Sequence, residues 1–123
     1  AARQHDFLRG DADGSGKSPE EDGAGCLSEP EKTIAREGPE TIAALFAEPI
    51  QGAGGVVVPP PGYLAKLREL CRCNGILFVA DEVITGFGRL GAWFASELWS
   101  LDPDLMIWRK ASRAGTCRSA PRW

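Results

Sequence analysis

Two short apolar runs, each ended by a carboxylate, limit what this 123-residue chain can fold into. Thr41–Ala47 is apolar almost throughout and stops at Glu48, and Ile76–Ala80 is apolar throughout and stops at Asp81. Runs of this length without polar alternation predict strands that are buried on both faces of a sheet. Between them, residues 62–74 repeat apolar side chains at helical spacing, which predicts a helix.

The flanking segments continue this alternation. Glu31–Glu37 has a short helical pattern that Gly38 and Pro39 end, and Ala92–Trp99 predicts a further helix. A third short strand is expected from Leu105. Strands that alternate with helices predict an α/β fold, with a mostly parallel sheet joined by crossover helices.

Carboxylates follow both apolar runs at the point where each predicted strand ends. In an open parallel sheet, ligands bind beyond the carboxyl ends of the strands. Glu48, Asp81 and the residues after Leu105 are therefore expected at one edge. A single carboxylate in this position is more often a helix cap or part of a solvated turn, but two in one short chain favour a site.

Charge and hydropathy exclude two classes of partner. The chain has 14 basic and 17 acidic residues, a net charge of −3, whereas a protein that binds nucleic acid through phosphates needs clustered positive charge. No apolar run reaches the roughly 18 residues that a membrane-spanning helix needs. We expect neither nucleic acid nor membrane as a partner.

Cysteine and histidine are too sparse and too scattered for a metal site. The four cysteines form no CxxC pair, and His5 is the one histidine. The cysteines are Cys26, Cys71, Cys73 and Cys117. Unpaired thiols predict a reducing compartment, and we expect the protein in the cytoplasm with no bound metal.

Composition divides the chain into three parts. Residues 1–30 are acidic and poor in large apolar side chains, which predicts a disordered, low-complexity arm. Residues 107–123 form a basic tail. The part that is left, residues 31–106, is near the lower size limit for one hydrophobic core, so we expect part of a larger domain.

Two glycine-rich motifs resemble phosphate-binding loops only in part. Residues 14–18 lack the glycine that a P-loop needs at position 11, where the chain has Asp11, and no predicted strand precedes them. A GxGxxG pattern follows Ala80 after five residues, and the acid expected about 20 residues later is Asp104, which precedes its strand. The glycines of this pattern are Gly86, Gly88 and Gly91. A fragment of a dinucleotide-binding oxidoreductase stays an alternative, as does a non-catalytic interaction domain.

Two longer motifs carry a family resemblance. Residues 42–55 with residues 59–63, followed by residues 78–89, resemble the class III aminotransferases, which use pyridoxal 5′-phosphate. The resemblance covers residues 31–106, and Ala53 and Ile84 make it closest to the omega-amino acid–pyruvate transaminases. It implies part of the large domain of a fold-type I pyridoxal-phosphate-dependent transferase. It also implies a homodimer that transfers an amino group from an amine or omega-amino acid to a keto acid such as pyruvate.

The resemblance also implies roles for four residues. Asp81 would pair with the protonated pyridine nitrogen of the cofactor, and Val83 would pack on the ring face. Glu48 resembles a glutamate that pairs with a mobile arginine for the substrate carboxylate, but that arginine lies outside this chain. Lys110 lies 29 residues after Asp81, at the spacing of the lysine that binds the cofactor covalently and moves the substrate proton.

The sequence around Lys110 departs from the family pattern. Small neighbours and a Gly-Leu-Thr-Ser-Gly-Tyr-like continuation are expected, but residues 108–115 read Trp-Arg-Lys-Ala-Ser-Arg-Ala-Gly. Suitable codons for this segment, read two bases later, encode the family continuation. We therefore hypothesise a frameshift near Met106 or Ile107, which puts residues 107–123 out of frame, and we expect little or no activity from the 123-residue chain.

Overall fold

The computed structural model describes residues 19–53 and 55–109 of the chain. They form helices and strands that alternate along the sequence. The elements are α1 (Pro19–Glu37), β1 (Ala44–Ala47), α2 (Tyr63–Cys73), β2 (Leu77–Asp81), α3 (Ala95–Leu98) and β3 (Leu105–Ile107), with a 3-10 turn at Pro39–Thr41. Within these two ranges, every helix is too short or too polar to span a lipid bilayer.

The strands form one parallel sheet in the order β1–β2–β3. Leu45 lies beside Phe78 in the first pair, and Asp81 lies beside Ile107 in the second. The strands therefore end at the same side of the sheet, which we call the carboxyl edge. The predicted α/β fold with a parallel sheet is confirmed.

One face of the sheet carries the apolar core. Phe78 has no exposed surface and lies in a cluster with Leu67 and Cys71 of α2 and with Leu27 and Ile34 of α1. The helical spacing predicted for residues 62–74 is confirmed, because the buried residues of α2 recur every three or four positions. They are Tyr63, Leu64, Leu67 and Cys71.

The other face of the sheet is largely open, and the prediction of strands buried on both faces is wrong for it. Side chains alternate along a strand and register partners share a face, so Phe46, Val79 and Leu105 lie on the same side. Phe46 is 65% exposed and Leu105 is 55% exposed, although Val79 is buried. No described element covers Phe46 or Leu105.

Helix α1 is longer than the sequence predicts. It begins at Pro19 rather than Glu31, and residues 1–18 lie outside the described range. Leu27 and Ile34 are seven residues apart, which is about two turns, so both contribute to the stripe that packs in the core. The helix ends as expected at Gly38, whose φ of 83° is favourable for glycine and whose N–H donates to the Ile34 carbonyl.

Helix α3 is shorter than predicted, covering Ala95–Leu98 rather than residues 92–99. The preceding residues belong to a turn instead. Phe87 donates its backbone N–H to the Trp93 carbonyl, and Gly91 has a φ of 94°. A backbone in this conformation cannot continue into a helix, so α3 begins only after the turn has closed.

Asp104 stabilises the end of the sheet opposite the carboxyl edge by hydrogen bonds. Its Oδ2 accepts the Phe78 N–H at 2.8 Å and its Oδ1 accepts Arg68 Nη2 at 3.0 Å. Arg68 also donates to the Asp102 carbonyl, so α2 is tied to the segment that leads into β3. Asp104 is thus used in holding the strands together.

Candidate functional site

Asp81 is the last residue of β2 and lies at the carboxyl edge, as predicted. It is half-buried, and its Oδ1 accepts the backbone N–H of Val83 at 3.0 Å. Its register partner is Ile107, the last residue of β3. Within the described residues this is the one hydrogen bond of the Asp81 side chain, so Oδ2 can accept a bond from a ligand.

Two exposed alkyl side chains lie two and three residues after Asp81. Val83 is 43% exposed and Ile84 is 40% exposed. A carboxylate with one oxygen fixed by the backbone, beside apolar side chains open to solvent, can hold a flat cationic heterocycle by charge and by contact.

Glu48 lies directly after β1 and is also half-buried. Its Oε2 accepts the Gly52 N–H at 3.0 Å, so the carboxylate stabilises the loop of residues 48–52 that follows β1. A Cβ added at Gly52 would overlap the Cδ1 atom of Ile84, which means that the loops after β1 and β2 touch. The structure therefore brings the loops of Glu48 and Asp81 together, as the sequence predicts.

Glu82 is a polar residue of this edge that the sequence analysis does not single out. It has no exposed surface, and its carboxylate accepts four hydrogen bonds. Oε1 accepts the Ser96 N–H and Oγ, both at 2.7 Å, and Oε2 accepts the Ala95 N–H at 3.0 Å and the Thr85 hydroxyl. These hydrogen bonds replace the water that a buried carboxylate loses. The partners on α3 are 13 and 14 residues away in sequence, so no local pattern marks them.

The GxGxxG pattern lies in residues 83–94, which we call the glycine turn. Gly86 donates its N–H to the Glu82 carbonyl at 2.9 Å, and a Cβ at this position would lie 2.9 Å from the same oxygen. Gly88 has a φ of 80°. These glycines shape a turn, and Arg89 beside them is exposed.

The oxidoreductase alternative is not supported by this geometry. A dinucleotide-binding loop must open directly into a helix, but α3 begins at Ala95, has four residues, and follows the turn rather than continuing from it. The acid that would bind ribose, Asp104, already bonds to Arg68 and to the Phe78 N–H. The glycines therefore do not form a nucleotide site.

The two cysteines whose side chains are described form no disulfide. Cys71 is free and buried, and burial raises the pKa of its thiol to about 11, so it stays protonated at neutral pH. Cys73 is free and exposed on the other side of α2. Within the described residues, no group of three or more His, Cys, Asp or Glu side chains could hold a metal ion.

Lys110 and the rest of the tail lie outside the described residues. The description ends at Arg109, two residues after Ile107. The structure therefore brings together the loops of Glu48, Asp81 and Val83, and the place of Lys110 stays a prediction from its spacing.

Comparison with known proteins gives one consistent family. The family model described as Aminotransferase class-III matches residues 7–121. The putrescine–pyruvate aminotransferase of Pseudomonas aeruginosa is 50% identical over 103 residues, which are 84% of this chain and 23% of that protein. The mitochondrial gamma-aminobutyrate transaminase 1 of Oryza sativa subsp. indica is 48% identical over 96 residues, 78% of this chain and 19% of that protein.

Solved structures agree with these relatives. An (S)-enantioselective omega-transaminase from Thermomicrobium roseum is 49% identical with a TM-score of 0.75, covering 79% of this chain and 22% of that chain. The omega-transaminase of Pseudomonas jessenii, solved in complex with PMP, is 45% identical with a TM-score of 0.75, covering 85% of this chain and 22% of that chain. The chain thus spans about a fifth to a quarter of the length of these proteins.

Proposed function

The chain belongs to the class-III aminotransferase family, and we propose that its carboxyl edge forms part of a transaminase site that uses pyridoxal 5′-phosphate. The reaction proposed is the transfer of an amino group from an amine or omega-amino acid to a keto acid such as pyruvate. We also propose that the intact protein acts as a homodimer in the cytoplasm. The oxidoreductase alternative is set aside, because the relatives and the solved structures are aminotransferases.

The observation that carries the proposal is the position and hydrogen bonding of the Asp81 carboxylate. This carboxylate lies at the carboxyl edge with Oδ1 held by the Val83 N–H, and within the described residues its Oδ2 accepts no hydrogen bond. These residues fit the cofactor, because its pyridine nitrogen needs an anionic acceptor and its ring needs an apolar surface. Asp81 supplies the acceptor and Val83 supplies exposed alkyl surface beside it.

Each residue then has a defined task. Asp81 keeps the ring nitrogen protonated, since an adjacent carboxylate favours the cationic form. When bound, the cofactor supplies an electron-accepting ring that makes the proton on the amine-bearing carbon easier to remove. Val83 packs on the ring, and Lys110 binds the cofactor covalently and moves that proton.

Glu48 is proposed to serve the substrate side of the site. Its Oε2 accepts the Gly52 N–H, and Oε1 is the second acceptor oxygen of the carboxylate. We propose that this oxygen pairs with the arginine that binds the substrate carboxylate in the family, a residue outside this chain.

The tail limits what the 123-residue chain can do. We propose that residues 107–123 are encoded out of frame and that the chain alone has little or no transaminase activity. Sequencing the gene from the Leu105 codon tests the first part: an open second frame that encodes the family continuation is expected. A stop codon directly after the Trp123 codon, with no such continuation in the second frame, would refute the frameshift.

Binding of pyridoxal 5′-phosphate tests the proposed site. Titration followed by the absorbance of the cofactor should give a saturable Kd for the chain. Asp81→Asn should weaken that Kd about tenfold or more, since a hydrogen bond to a charged group contributes about 1.5–3 kcal/mol. Asp102→Asn is the matched control, because Asp102 is exposed and precedes β3. Equal loss in both variants would contradict the role of Asp81, and no binding at all would favour a non-catalytic interaction domain.

A further inference from the structure

Glu82 makes hydrogen bonds to three parts of the carboxyl edge: β3, the glycine turn and α3. Its backbone N–H donates to the Ile107 carbonyl at 2.8 Å, which extends the pairing of β2 with β3. Its backbone carbonyl accepts the Gly86 N–H at 2.9 Å, which closes the first part of the glycine turn. Its side chain reaches Ala95 and Ser96 at the start of α3. One residue therefore fixes both ends of the glycine turn.

This fixation bears on the two residues that flank Glu82. Asp81 precedes it and Val83 follows it, and the Val83 N–H is the group that holds Asp81 Oδ1. If the glycine turn moves, Val83 moves with it, and the carboxylate of Asp81 loses its restraint. Within the described residues, the Asp81 side chain makes no hydrogen bond to α3 that would replace this restraint.

We propose that Glu82 is a positioning residue, whose buried carboxylate anchors the glycine turn to α3 and thereby holds Asp81 and Val83 in place for the cofactor. The inference rests on the proposed function, since it assigns Glu82 to the cofactor site described above. Glu82 touches neither substrate nor cofactor in this role. It acts through its neighbours.

The number of acceptor oxygens shows why glutamine should not replace this glutamate. Both carboxylate oxygens of Glu82 accept a backbone N–H, one from Ala95 and one from Ser96. Glutamine has one acceptor oxygen, and its amide nitrogen only donates. Whichever way the amide is turned, one of the two backbone N–H groups faces another donor. The Thr85 and Ser96 hydroxyls can rotate to accept, but the backbone groups cannot.

The experiment compares Glu82→Gln with Glu97→Gln in the full chain. Glu97 is an exposed glutamate of α3, so the control removes the same charge from the helix that Glu82 contacts. Amide hydrogen exchange is followed without cofactor, and the affinity for pyridoxal 5′-phosphate is measured in parallel. The pH at which the bound cofactor loses its ring proton is read from its absorbance.

We expect Glu82→Gln to speed exchange at Val83 about tenfold or more, since the lost bond is one to a charged group. Exchange at Leu77, whose N–H donates to the Ala43 carbonyl in the sheet, should not change. The Kd for the cofactor should rise about tenfold, and the titration of its ring nitrogen should move to lower pH because Asp81 is less well placed. A merely structural loss of folded protein would lower signal amplitudes without moving that pH.

The outcomes separate this inference from the proposed function. A chain that takes up no pyridoxal 5′-phosphate with Glu82 present overturns the proposed function. A chain that binds it equally well with glutamate and glutamine, or whose Val83 amide stays protected, overturns the role of Glu82 alone. If Glu82→Gln does not fold, the Ser96→Ala variant tests the proposal instead. It removes the Ser96 hydroxyl that donates to Glu82 and keeps the Glu82 carboxylate. It should weaken cofactor binding a few-fold, and unchanged binding would count against the proposal.

Discussion

Phe46 and Phe78 offer a direct test of which face of the sheet is the core. They are the same residue type on neighbouring strands, but alternation puts them on opposite faces. Phe78 has no exposed surface and packs with α2, whereas Phe46 is 65% exposed. Phe78→Ala and Phe46→Ala therefore remove the same atoms from two different environments.

The expected costs differ several-fold. Truncation of a fully buried phenylalanine lowers the free energy of unfolding by about 3–5 kcal/mol, through lost burial and the cavity left behind. For Phe46 only about a third of the side chain is buried, so the loss scales to about 1 kcal/mol or less. With a urea dependence of about 2 kcal/mol per M, Phe78→Ala should shift the unfolding midpoint by about 2 M and Phe46→Ala by about 0.5 M or less.

Urea unfolding followed by far-UV circular dichroism measures both variants against the unchanged chain. Phe78→Ala should either show the large shift or leave no cooperative transition, while Phe46→Ala keeps one. Equal costs for the two variants would refute the assignment of the core to one face. A larger cost for Phe46→Ala would show that its face is covered in solution.

Three further outcomes follow from the side-chain contacts. Iodoacetamide at pH 8 should modify Cys73 readily and Cys71 only after unfolding, as read by peptide mapping. Because the pKa of Cys71 rises from 9.0 to about 11 on folding, the unfolded thiol loses its proton first, and the free energy of unfolding should fall as pH rises from about 9 to 11. Asp104→Asn should cost about 1.5–3 kcal/mol through its bond to the Phe78 N–H, whereas Asp102→Asn should cost little.

Much of the fold follows from local sequence patterns. The spacing of Leu64, Leu67 and Cys71 predicts α2 because it repeats with the period of a helix facing one core. The apolar runs predict β1 and β2, and the rule that ligands bind at strand carboxyl ends places Glu48 and Asp81 at one edge. These features depend on residues close together in the chain.

The features that the sequence does not predict depend on distant contacts. Pro30 lies inside α1, and proline and the nearby glycines are unfavourable in a helix, so the sequence does not predict the first part of α1. This helix is stabilised by its packing in the core with α2. The open face beside Phe46 cannot be read from an apolar run, because the run shows only that burial would be favourable. Glu82 bonds to residues of α3 more than ten positions away, and a single buried carboxylate has no periodic signature.

Reduction of the chain with borohydride in the presence of pyridoxal 5′-phosphate, followed by peptide mapping, tests the proposed site most directly. The sequence has four lysines, Lys17, Lys32, Lys66 and Lys110. We expect the stable adduct on Lys110 in preference to the others, with a lower yield in Asp81→Asn than in Asp102→Asn. Labelling spread evenly over the four lysines, or unaffected by Asp81→Asn, would contradict a cofactor site formed by Asp81 and Lys110.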